Sequence, residues 1–141
     1  MAERKIDWQV LQNYTASIFE RAGMPVDDAA IEAEVLVWAN LRAIDSHGVQ
    51  RVDGYVGAID AGHMNPRPDI RIEKETSAIL LVEADHAFGP VVTTLAMNAV
   101  MDKARETGIG WGLILNTTHQ GAMAYYTHMA DDQGEESFVS E

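Results

Sequence analysis

The chain has 141 residues, 47% of them hydrophobic by type, with 22 acidic against 10 basic side chains, a formal net charge of -12 and no cysteine. That length holds one globular domain burying roughly two-thirds of its unfolded surface, and the negative charge repels phosphate backbones and anionic membranes, which argues against a nucleic-acid partner. The missing cysteines exclude disulfides, thiolate metal sites and thiol nucleophiles; with no run near the roughly 20 apolar residues of a membrane helix, the expectation is an untargeted cytoplasmic protein with no membrane partner.

From Asp7 to Arg21, Val10, Leu11, Tyr14 and Ile18 recur at helical spacing, with Asp7 able to cap the start and Gly23 following the end. A second helix is expected from Asp27-Asp28 to about Arg42, marked by Ile31, Ala33, Val35, Leu36, Trp38, Ala39 and Leu41. The segment Asp45-Ser46-His47-Gly48-Val49 interrupts it as a helix-connecting loop, after which Val52, Tyr55, Val56 and Ile59 resume helical spacing toward Gly62. Pro66 and Pro68 then force an extended linker, because each ring fixes its own φ and disfavours helix in the residue before it.

Residues 70–75 and 77–82 predict two paired strands. Gly89-Pro90 opens a long helix marked by Val91, Leu95, Ala96, Ala99, Val100 and Ala104, which Gly108 stops. Gly110 to Leu115 reads as a buried strand, followed by the polar loop Asn116-Thr117-Thr118-His119-Gln120-Gly121 and a last helix through about Asp132. The division this suggests is a helical segment over 1–65, a partial α/β unit over 66–134 and a divergent, disordered tail over 135–141. The last eleven residues carry five acids and no Lys or Arg, so they supply much of the net charge.

Five histidines are the side chains that titrate near neutrality unaided. His63, in a Gly-His-Met-Asn-Pro turn, His128, on a helix, and His86, beside Asp85, are read as structural or solvated. His47 and His119 sit in short polar loops beside glycines, where backbone lets a ligand approach closely, although either could equally cap a helix or end a strand. Arg51 lies four residues after His47, so both side chains reach one end of the following helix and the guanidinium can grip a carboxylate bidentately; the plainer alternative is a surface ion pair with Asp53 or Asp45. There is no G-x-S-x-G elbow and no H-E-x-x-H, and the glycines 108, 110 and 112 precede a strand with Leu113 where the last glycine of a dinucleotide fingerprint belongs.

Asp45-Ser46-His47-Gly48-Val49-Gln50-Arg51 followed by Tyr55, then Gly62-His63-Met64-Asn65-Pro66-Arg67-Pro68, resembles the N-terminal part of the malate/L-lactate dehydrogenase family, which includes ureidoglycolate dehydrogenase, diketogulonate reductase, sulfolactate dehydrogenase and cyclic imino-acid reductases. Val82-Glu83-Ala84-Asp85 with Gly89, Lys103 to Gly108, and Asn116 to Ala122 with Tyr125-Tyr126 follow in the expected order. The resemblance implies an α/β fold of N-terminal helices followed by an incomplete mixed sheet with packed helices, a truncated non-Rossmann dehydrogenase fold. It implies NAD or NADP as cofactor, a small 2-oxo or 2-hydroxy acid as substrate, and a homodimer.

By the same resemblance His47 and His119 are the two catalytic proton donors to weigh, Arg51 is the clamp for the substrate carboxylate, Ser46 and Tyr55 are supporting substrate-binding donors, and Gly121, in a loop opening a helix, approaches the cofactor. Gln120 and His86 depart from the residues many relatives carry, Phe and Asn, which leaves specificity open. Family members are more than twice as long, so an oxidoreductase portion inactive alone is expected. The alternative is a non-catalytic remnant that dimerises or binds a small acid.

Overall fold

The computed structural model describes residues 5–141, and its elements run α1 (Trp8–Arg21), α2 (Val26–Asn40), two 3-10 turns (Asp45–His47 and Val49–Arg51), α3 (Val52–Asp60), β1 (Arg71–Glu75), β2 (Ile79–Glu83), α4 (Gly89–Thr107), β3 (Trp111–Leu115) and α5 (Ala124–Asp131). The expected α/β architecture of helices followed by an incomplete mixed sheet is what forms: β1 pairs antiparallel to β2, and β2 pairs parallel to β3.

Local chemistry sets the helix ends. The Asp7 carboxylate accepts from the amides of Gln9 and Val10, satisfying two of the free N–H groups of α1. Pro90 lies in the first turn of α4, and Gly108 ends that helix in the left-handed region at φ +86°, a conformation that penalises residues bearing a Cβ.

Two core clusters hold the helices and the sheet in place. One joins α1, α2, α3 and the start of α4 through Phe19, Leu36, Tyr55, Met64, Phe88 and Val91. Phe88 meets Phe19 edge-on at 5.7 Å and Tyr55 edge-on at 6.0 Å, pairs worth about 0.5–1.5 kcal/mol each beyond their buried area. The other packs Leu80 and Val82 of β2 against Val92 and Ala96 of α4. Because β2 and β3 are parallel, their carboxyl ends lie side by side, the edge of an α/β sheet where ligands characteristically bind.

The side chains facing inward differ from the expectation in places. Val10 and Tyr14 of α1 are exposed, and Thr15 and Phe19 are buried instead, because the helix packs on α2 through the neighbouring stripe. Leu41 and Leu95 are also exposed. Most consequentially, β3 is not buried: Trp111, Leu113 and Leu115 are about half exposed, since α4 covers only the sheet face that carries Leu80 and Val82. The loop at His119 does not run straight into a helix either, for α5 begins at Ala124.

Residues 135–141 form no helix or strand, yet Glu135 pairs with Arg105 at 2.9 Å and Val139 packs near Met97, Met101 and Tyr126. Among the described residues no helix is long and apolar enough to cross a membrane.

Candidate active site

The first wall of the site is the pair of 3-10 turns after α2. Asn40, at the end of that helix, donates from its amide to Asp45 at 2.6 Å and accepts from the Val49 N–H at 2.8 Å, tying both turns to α2. Gly48 lies between them, and a Cβ built there would overlap the Asn40 amide, so glycine is demanded by close approach. In this frame Ser46 Oγ is 2.9 Å from His47 Nδ1, and Arg51 Nε donates to the Ser46 carbonyl at 2.6 Å. That bond turns the guanidinium edge-on to the backbone and leaves its Nη groups without a carboxylate within 4 Å among the described residues; Asp45 is engaged by Asn40 instead.

The second wall is the loop after β3. Thr118 donates to the Ala87 carbonyl through both its N–H, at 3.3 Å, and its hydroxyl, at 2.9 Å, which holds the loop against the start of α4. A Cβ at Gly89 would overlap the His119 backbone, so this glycine too is fixed by contact. His119 thereby meets residues more than sixty positions away: its ring lies 5.2 Å from that of His47, and its Nδ1 is 2.8 Å from the Tyr55 hydroxyl. All six residues singled out from the sequence, Ser46, His47, Arg51, Tyr55, His119 and Gly121, converge in one place.

The hydrogen bonds assign proton positions. The Gly121 N–H points at His119 Nδ1 at 3.2 Å, and an amide can only donate; Nδ1 is therefore the acceptor, Tyr55 donates its hydroxyl proton to it, and the ring proton sits on Nε2. Burial lowers the His119 pKa from the ordinary histidine range, Glu141 opposes that shift, and the charges of Arg51 and His47 add to it, so the ring is neutral at pH 7. Burial likewise holds the Tyr55 phenol well above its usual range and keeps it a hydrogen-bond donor.

Gly121 lies directly beside His119. Its φ of +77° reverses the chain, its Cα side packs toward Val35, where an added Cβ would lie 3.1 Å from Cγ1, and its N–H serves His119. His63, His86 and His128 are exposed and outside the cluster: His86 is in the left-handed region, His128 is 3.6 Å from Asp132, and Asp85 accepts from Asn65 and Asp69, not from His86. Sequence reasoning missed Asn40, whose polarity at a helix end gives no hint of the two turns it fastens. It also missed Glu32, fully buried on α2, whose signal is a Glu inside the stripe Ala29, Ala33, Leu36. A cavity of about 820 Å³ lies mainly between α4, β3 and residues 135–141, and Thr117 and Gln120 of the His119 loop also line it.

The profile of the malate/L-lactate dehydrogenase family matches residues 6–139. The malate dehydrogenase of Pyrococcus abyssi is 40% identical over 88% of this chain and 34% of its own length. The L-sulfolactate dehydrogenase of Methanocaldococcus jannaschii is 37% identical over 82% of this chain and likewise 34% of its own. The structure of malate dehydrogenase from Pyrococcus horikoshii superposes with a TM-score of 0.90 at 36% identity, covering 93% of this chain and 38% of that one. The chain thus spans about a third of the length of the relatives it matches. The fold, the ordered motifs and the profile agree, and the chain belongs to the malate/L-lactate dehydrogenase family.

Proposed function

We propose that this chain is the substrate-side portion of an NAD(P)-dependent oxidoreductase that interconverts a small 2-hydroxy acid and its 2-oxo acid. The observation that carries this reading is the convergence of His119, His47 and Arg51 at the carboxyl ends of β2 and β3. Reducing a 2-oxo acid requires a proton for the developing alkoxide and a cation for the neighbouring carboxylate. Arg51 supplies the cation, with its fork oriented by the Ser46 carbonyl.

His119 is the better placed of the two proton donors. Its Nδ1 is held by Tyr55 and Gly121, which fixes the ring and leaves Nε2–H as the donor, while its lowered pKa makes a neutral ring available for the reverse, proton-accepting direction. His47, held by Ser46, stands beside it as the second group on the proton path.

The cofactor, NAD or NADP, would supply or accept the hydride. Gly121, whose N–H lies 3.2 Å from His119 Nδ1, is the position of this chain that would approach it. The chain's own side chains thus account for carboxylate binding and proton transfer. Mixed with NADH or NADPH and pyruvate, oxaloacetate or a cyclic imino acid, the 141-residue chain is expected to turn over little or not at all. Robust turnover surviving His47→Ala combined with His119→Ala would contradict the site assignment.

A second reading, a non-catalytic module that self-associates as a dimer, is favoured by the open sheet face of Ile79, Trp111, Leu113 and Leu115. Sedimentation separates the two: a monomer that binds a 2-oxo acid supports the first, and a dimer indifferent to it supports the second.

A further inference from the structure

The chain segments that leave β2 and β3 stay tied together beyond the last ladder pair, Glu83 beside Leu115. The Ala84 N–H donates to the Leu115 carbonyl at 2.9 Å and the His86 N–H to the Asn116 carbonyl at 2.8 Å, while Thr118, the residue before His119, donates to the Ala87 carbonyl. Along this path the backbone enters the left-handed region three times, at Asp85 (φ +51°), His86 (φ +57°) and Asn116 (φ +52°). Asp, His and Asn tolerate that region better than most residues bearing a Cβ, yet such a conformation persists only where the surroundings fix it.

One carboxylate reaches two of the three. Glu83 Oε1 accepts from the Asp85 N–H at 3.1 Å, and Asn116 Nδ2 donates to Oε1 at 3.1 Å and to Oε2 at 2.9 Å. Both donors are uncharged, so these are charge-assisted bonds from neutral amides to an anion. Asn116 stands three residues before His119, and Asp85 two before Ala87, whose carbonyl receives both the N–H and the hydroxyl of Thr118. Glu83 thus grips both segments where the His119 loop leaves the sheet. The Asp85 carboxylate extends the restraint to the proline linker, accepting from Asn65 Nδ2 and from the Asp69 N–H, each at 2.9 Å.

We propose that Glu83 is a positioning residue for His119: its carboxylate, shared between the Asn116 amide and the Asp85 N–H, holds the left-handed turns after β2 and β3 and so sets where the His119 ring stands. The functional meaning of this role rests on the reading of His119 as the acid–base group. Its measurement needs neither substrate nor turnover, so a failed substrate titration and a failed positioning test are distinguishable.

The test is an NMR titration of the His119 ring in the whole chain and in its variants. Glu83→Gln keeps the size but turns an NH2 toward the Asn116 NH2, where no hydrogen bond can form. With the loop released, the buried ring gains water, and its lowered midpoint is expected to rise toward about 6.5. Loss of a negative charge would by itself move the midpoint down, so the sign separates positioning from charge. Glu83→Gln combined with Asn116→Asp reverses the polarity of the pair and lets the new amide donate to the new carboxylate. This double variant is expected to restore the lowered midpoint, although the added carboxylate would by its charge raise it. Arg51, His47 and Glu141, whose charges act on the ring, are the same in every variant. A midpoint that stays or falls in Glu83→Gln, or one that the double variant leaves high, would overturn the proposal. Should Glu83→Gln fail to fold, Asn116→Gly removes the amide, relieves the left-handed strain and alters no charge. It too is expected to raise the midpoint, and an unchanged value there would equally overturn the proposal.

Discussion

Arg51 and His119 illustrate what single residues contribute. Arg51 is one cause of the lowered His119 pKa, so Arg51→Met is expected to raise the His119 midpoint toward the ordinary histidine value of about 6.5, measured by NMR titration. An unchanged or lower midpoint would separate the two residues electrostatically. Asn40 makes a different kind of contribution. Asn40→Ala leaves the Val49 N–H and the Asp45 carboxylate without their partner and is expected to cost about 1–3 kcal/mol in denaturant unfolding. Gly48→Ala, which forces the same amide aside, should cost a similar amount and displace the His47 ring resonances. The proximity of His47 and Arg51 was legible in the sequence because four residues of chain connect them. The meeting of His47 with His119 was not, since only the parallel pairing of β2 and β3 and the packing of α2 on α4 bring those loops together; the ordered motifs of the family resemblance put both residues among the candidates without showing the contact.

Among elements, the best-read features were those decided by neighbouring residues. The Asp7 cap of α1 and the Gly108 stop of α4 depend on hydrogen bonds and dihedrals within a turn, and both appear where the sequence put them. The inward stripe of α1 was misread because an apolar Val10 and Tyr14 signal a sticky face without saying whether anything covers it. The same limit applies to β3, whose apolar run reads as buried while its outer face lies open. Parallel strands are ordinarily covered on both faces, and the second, self-associating reading proposed above rests on this open one, which the following substitution tests. Leu113→Glu is expected to reduce self-association in sedimentation and to leave unfolding stability within roughly 0.5 kcal/mol, because the residue is about half exposed. Loss of folding on this substitution would mean that the face is internally packed.

At the scale of the whole molecule, the raised Glu32 pKa makes stability depend on pH. The folded chain holds a proton on Glu32 that the unfolded chain releases at its ordinary carboxyl value. The stabilising contribution is thus fully present below the unfolded pKa, is lost progressively as pH rises toward about 8, and is constant above it. Thermal unfolding across that range is expected to show a falling melting temperature with pH, and Glu32→Gln is expected to flatten the slope. The central claim, that distant loops build one acid–base and carboxylate-binding site, is tested most directly by titrating the chain with pyruvate or malate while following the ring resonances of His47 and His119. Both rings are expected to shift together with one saturation curve, and Arg51→Met is expected to weaken that curve at least about tenfold, as loss of a charge-assisted pair implies. Rings that do not respond, or a response indifferent to Arg51, would contradict the account.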